Sequence, residues 1–170
     1  MTGRLLALLA LPALLMCAPP AGAVAEGELA PEFVGLDGWI NSEPQTLEAL
    51  RGRVVLVNFW TLGCGNCVAT LPYVKAWHER FAAAGLVILG IHTPELEFER
   101  PRAKVEATVR GRAIEYPVAL DLDSRTWKAY GNHAWPAFYF IDRRGVVRHV
   151  QLGEGQYERS ERWLAELLAE

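Results

Sequence analysis

The chain has 170 residues, 51% hydrophobic, 22% charged and 10% aromatic, which is the balance of an ordinary globular domain and excludes disordered, collagen-like or low-complexity chains. Its 17 Lys and Arg against 20 Asp and Glu give a formal charge of -3, and no basic run is interleaved with aromatics, so the electrostatic footprint of a nucleic-acid binder is missing. One folded domain acting on a protein or small molecule is the expectation that remains.

Residues 1–25 read as a signal peptide. Arg4 precedes an apolar stretch, Leu5 to Met16, shorter than the roughly 20 residues of a membrane span but suited to a signal-peptide core. Ala21-Gly22-Ala23 offers a cleavage site and Ala23-Val24-Ala25 an alternative, so the expected domain covers residues 26–170 and works outside the cytoplasm, in a periplasm or beyond. Leu14-Leu15-Met16-Cys17 resembles a lipoprotein box that would anchor the chain through Cys17, but Met16 stands where a small residue is expected, and soluble export is preferred. Cleavage leaves Cys64 and Cys67 as the two cysteines.

Phe33 to Ile40 reads as a short strand or hairpin, and Thr46 caps a helical turn that runs through Leu50 to Gly52. Val54 to Trp60 is almost continuously apolar and β-branched, the pattern of a central strand buried on both faces. Leu62 to Cys67 predicts a turn. Leu71, Val74, Trp77, His78 and Phe81 then recur at helical spacing up to Gly85, with Pro72 expected to kink that helix. Leu86 to Ile91 is a second buried strand, and Thr93-Pro94-Glu95 predicts a helical opening that breaks at Pro101 and resumes from Arg102 to Arg110. Glu97, Glu99, Arg100, Arg102, Lys104, Glu106, Arg110 and Arg112 alternate in sign and read as a solvated helix face. A strand at Pro117 to Leu120, a helix at Ser124 to Tyr130, a hairpin of Ala137 to Ile141 with Val146 to Leu152, and a helix at Glu158 to Leu168 complete a mixed α/β sheet covered on both faces.

Three readings of Cys64 and Cys67 stand side by side. Their spacing at a strand-to-helix junction allows a disulfide. As a structural staple it would be weak, since closing a four-residue loop contributes only about 2 kcal/mol. As half of a zinc site it lacks partners, because His78, His92, His133 and His149 show no paired-ligand spacing. As a redox pair it has a suitable place: Cys64 at the helix start faces unpaired N–H groups and the positive dipole end, which favour a thiolate, and Cys67 one turn inside should be more buried. A stabilised thiolate favours the reduced form and makes Cys64 a good leaving group when Cys67 resolves a mixed disulfide.

Val57-Asn58-Phe59-Trp60-Thr61-Leu62-Gly63-Cys64-Gly65-Asn66-Cys67 resembles a thioredoxin-fold active site, with Pro72 beyond it and Trp135-Pro136 before an apolar strand. Gly90 to Glu95, Tyr116 to Asp121 and Ile141 to Arg148 follow in the order of the exported redoxins related to TlpA and to the C-terminal domain of DipZ, and the likeness runs from about Leu29 to Leu168. The resemblance implies a thioredoxin fold with a mixed sheet flanked by helices on both faces, an N-terminal extension and an inserted helical segment. It also implies a cis Trp135–Pro136 peptide beside the disulfide, with the Trp135 backbone free to pair with an extended substrate. Trp60, Tyr73 and Trp135 would wall the sulfurs; Gly65 and Asn66 between the cysteines are neither the Gly-Pro of typical thioredoxins nor the Pro-His of strong oxidants, so the resemblance does not fix the potential.

The function so implied is thiol-disulfide exchange with protein substrates. Reduction is the expected direction, since the branch includes reductants serving cytochrome c maturation. Electrons would come from a separate, membrane-bound donor to a monomer whose only redox group is the Cys64–Cys67 disulfide. Asn58 departs from the buried aspartate of many thioredoxins and cannot act as a base, and Glu95 is the candidate replacement. Two rival readings are a copper-binding module with His133 or His92 as third ligand, and a peroxidase, for which no isolated peroxidatic cysteine with a nearby threonine partner is read.

Overall fold

A computed structural model describes residues 22–170. The apolar stretch Leu5 to Met16 and the Cys17 lipoprotein box lie outside the described residues. Ten named elements follow in chain order: β1 (Trp39–Ile40), β2 (Val54–Trp60), α1 (Gly65–Phe81), β3 (Leu86–His92), α2 (Arg102–Gly111), β4 (Val118–Leu120), α3 (Arg125–Ala129), β5 (Ala137–Ile141), β6 (Val147–Leu152) and α4 (Tyr157–Ala169). The sheet order is β1-β4-β3-β2-β5-β6. β2 runs parallel to β3 and antiparallel to β5, so the sheet is mixed and β2 lies inside it.

Side chains of β2 alternate between two cores because the strand period is two. Val54, Leu56 and Trp60 enter the core shared with α1, α2 and α4, where they meet Val74, Trp77, Val105 and Leu164. Val55, Val57 and Phe59 enter the opposite core with Tyr130, Tyr139 and the N-terminal extension. That extension adds to the sheet edge: Val147 donates to the Glu28 carbonyl at 2.8 Å and Gly27 donates to the Val147 carbonyl at 2.7 Å. The inserted helical segment is α2, between β3 and β4. Among the described residues no helix is long and apolar enough to cross a membrane.

Four expected elements differ from the structure. Of Phe33 to Ile40 only Trp39–Ile40 is strand, since among the described residues its partner is β4, which is three residues long. The segment capped by Thr46, whose Oγ1 accepts from Ala49 at 3.1 Å, is a hydrogen-bonded turn without a helix. Thr93-Pro94-Glu95 does not open a helix. A short 3-10 turn forms at Glu97–Glu99, because the Glu95 and Leu96 amides donate to the Glu99 side chain and α2 starts only at Arg102. The turn expected through Cys67 ends earlier, with α1 beginning at Gly65.

Candidate active site

β2 delivers Thr61 to Cys64 at its C-terminal end, and Cys64 is the N-cap of α1, with extended backbone (φ -80°, ψ 111°). Its Sγ accepts the Cys67 N–H at 3.1 Å, so the sulfur occupies the place of an ordinary capping oxygen. The first turn of α1 holds no acidic residue to oppose the dipole. Cys64 and Cys67 are joined as a disulfide with a Cα–Cα distance of 5.2 Å. Cys67 is 2% exposed and Cys64 half-buried, so Cys64 presents the accessible sulfur. Gly65 and Asn66, the first two residues of α1, are exposed.

The register Phe59↔Ala137 sets Pro136 opposite the end of β2, beside the segment that carries Cys64. The Trp135–Pro136 peptide is cis. Among the described residues the Trp135 backbone makes no hydrogen bond, while its indole N–H donates to the Thr93 carbonyl at 3.0 Å and its ring stacks on Trp127 at 4.0 Å. Trp60 and Trp135 belong to the apolar cluster that contains both cysteines. Tyr73 instead turns an exposed ring onto Tyr157, with centroids 3.5 Å apart. Asn58 is buried and its amide donates to the Phe59 and Ala137 carbonyls, both at 3.3 Å, a structural role in the sheet.

The acid that enters this region is Glu99, and Glu95 is exposed. Glu99 was expected on a solvated face with its charged neighbours, yet it is 1% exposed. Its Oε1 accepts the Gly63 N–H at 2.9 Å, and its Oε2 accepts those of Glu95 and Leu96 at 2.7 and 2.8 Å. Burial by itself would raise its pKa, but these amides and the Thr61 hydroxyl outweigh burial and hold the carboxyl below its ordinary range. Gly63 is required by this contact, because a Cβ there would strike Oε1 and come within 3.0 Å of the Phe98 ring. Alternation of charge conceals Glu99, and its sequence neighbours carry no signal of its burial, because Gly63, one of the donors that holds it, lies 36 residues away.

His92 completes the cluster. It is fully buried, its Nε2 lies 3.4 Å from Thr61 Oγ1, and its ring packs edge-on against Trp60. Burial lowers its pKa to about 4 against the opposing pull of Glu99, so the ring is neutral at neutral pH. Thr61, three residues before Cys64, therefore directs its hydroxyl to this pair. Because the folded pKa is depressed below 6.5, the unfolded chain binds the extra proton first, and stability is lost as pH falls from about 6.5 to about 4. The expected loss is about 3 kcal/mol, measurable by urea unfolding at a series of pH values and absent in His92→Gln. A wild-type stability that stays flat across that window would contradict the burial of a neutral imidazole.

Among the described residues no group of three or more His, Cys, Asp or Glu side chains is arranged to hold a metal ion. Of the two candidate third copper ligands, His92 is enclosed against Thr61 and His133 is exposed.

Residues 27–150 match the AhpC/TSA family. The chain is 39% identical over 155 residues to Protein DipZ of Mycobacterium bovis, covering 89% of this chain and 22% of that protein, so it spans about a fifth of that relative's length. It is 27% identical over 140 residues to the thiol-disulfide oxidoreductase YkuV of Bacillus subtilis, covering 82% of this chain and 94% of YkuV. A solved thioredoxin-like superfamily protein superposes with a TM-score of 0.78 at 27% identity, covering 86% of this chain and 98% of its own, and the fold is thioredoxin-like.

Proposed function

The chain belongs to the AhpC/TSA family, and on that footing we propose that it is a thiol-disulfide oxidoreductase that reduces protein disulfides outside the cytoplasm. One observation carries the activity: a half-exposed Cys64 caps α1 while its partner Cys67 is buried one turn inside. The Cys64 thiolate attacks a substrate disulfide, forming a Cys64–substrate bond and releasing one substrate thiolate, which takes up a proton. Deprotonated Cys67 then attacks Cys64 Sγ, closing the Cys64–Cys67 disulfide and releasing the second substrate thiol. Two electrons and two protons thus pass to the substrate.

The oxidised pair returns to the dithiol by exchange with a separate, membrane-bound dithiol donor, and the protein works as a monomer with this disulfide as its redox group. The Trp135 backbone, which among the described residues makes no hydrogen bond, lies beside Pro136 and supports docking of an extended substrate segment. Export rests on Arg4, the Leu5 to Met16 stretch and the small residues at Ala21-Gly22-Ala23. The test is the equilibrium of the pair with reduced and oxidised glutathione. A potential near -270 mV is expected, and one near -120 mV would overturn the reductive direction.

A further inference from the structure

We propose that Glu99 sets the redox poise of the Cys64–Cys67 pair: its buried carboxylate, tied to the backbone of the residue immediately before Cys64, opposes ionisation of the Cys64 thiol and makes the protein a stronger reductant. This inference rests on the thiol-disulfide reading above and deepens it.

The carboxylate is fixed at both oxygens, by Gly63 on the reactive loop and by Glu95 and Leu96 on the segment after β3. Among the described residues no lysine or arginine forms an ion pair with it. The neighbouring Arg100 reaches away, donating to the Leu122 carbonyl at 2.8 Å and pairing with Asp123. His92 from β3 is neutral, Thr61 from the end of β2 carries no charge, and α1 contributes only the positive end of its dipole. Glu95 and Glu97 are exposed, so water screens them. Asp121, the other buried carboxylate at this end of the sheet, accepts from the Thr93 hydroxyl and from the Thr126 and Trp127 amides. Glu99 is the buried carboxylate bonded to the loop that carries Cys64, and its charge there opposes the helix dipole.

The sign follows from which state is charged. A disulfide is neutral and a thiolate is not, so a fixed negative charge destabilises the reduced pair and shifts the equilibrium toward the disulfide. For the reaction with glutathione disulfide, the glutathione S–S bond breaks, the Cys64–Cys67 bond forms, and two glutathione thiols leave with the two cysteine protons. A unit charge a few ångströms beyond contact in a partly buried setting is worth about one pKa unit on the thiol, a tenfold change.

The test compares the full chain with Glu99→Gln, which keeps the size and one acceptor but removes the charge, and with Glu97→Gln on the exposed side of the same turn. In a Cys67→Ser background the Cys64 pKa, read from thiolate absorbance, should fall by about one unit in Glu99→Gln and stay put in Glu97→Gln. With both cysteines present and at a pH above the Cys64 pKa, where the reduced pair carries the thiolate, the glutathione equilibrium should move about tenfold toward the dithiol, about 30 mV upward. Glu99→Asp, which retains the charge, should restore the wild-type pKa. A merely structural Glu99 would lower the melting temperature and leave pKa and potential unchanged, overturning the proposal. Thr61→Val is nearly isosteric and takes away a neutralising donor, so it should raise the Cys64 pKa; a fall there would overturn the proposal even if Glu99→Gln does not fold. Wild-type protein that does not exchange with glutathione disulfide defeats the underlying reading, whereas exchange with less than a threefold shift in Glu99→Gln defeats the Glu99 inference alone.

Discussion

Cys64→Ser is expected to lower disulfide exchange by at least about a thousandfold, to the uncatalysed rate, because the accessible sulfur is the group that forms the mixed disulfide. A serine hydroxyl has no comparable nucleophilicity at neutral pH and no bond to donate to a second sulfur. Cys67→Ser behaves differently. It keeps the first attack within about fivefold of wild type and accumulates a covalent adduct with the substrate, since the resolving thiol is gone. Mass spectrometry of the trapped adduct and an insulin-reduction rate read both outcomes. Unchanged exchange in Cys64→Ser would refute the division of labour between the two cysteines. Neither variant should lose more than about 2 kcal/mol of stability, because the disulfide closes only a four-residue loop.

Phe59→Ala is expected to give a large loss of stability, about 3–5 kcal/mol, with a melting temperature lower by about 10 °C. The ring is fully buried between the sheet and the N-terminal side of the molecule. It stands edge-on to Trp127 at 5.7 Å, Tyr130 at 5.2 Å and Tyr139 at 5.7 Å, so truncation removes three aromatic contacts as well as apolar burial. The same Trp127 stacks on Trp135, which links this core to the segment before Pro136. Chemical denaturation measures the effect, and a loss below about 1 kcal/mol would show that the three neighbouring rings collapse into the space.

The two central strands were legible because their physics is local. Val54 to Trp60 is apolar at nearly every position, and a strand buried on both faces needs that pattern whatever surrounds it. Leu86 to Ile91 was legible for the same reason, and Cys64 was legible at the start of a helix because the Gly-rich turn after β2 and the helical spacing from Leu71 frame it. Glu99 was hidden by the same locality. Its sequence neighbours alternate in charge as a solvated helix does, and the donors that bury it include Gly63, 36 residues away.

Composition, periodicity and the spacing of two sulfurs thus determined the α/β class, the strands that form the centre of the sheet and the two cysteines that can bridge, since each depends on residues within a few positions of one another. Tertiary structure alone decided which carboxylate is bonded to the loop before Cys64, that Thr93-Pro94-Glu95 stays out of a helix and that Trp135 leans on Trp127. The reason is physical: a carboxylate leaves water only where distant amides meet it, and a ring stacks only on what the chain brings beside it.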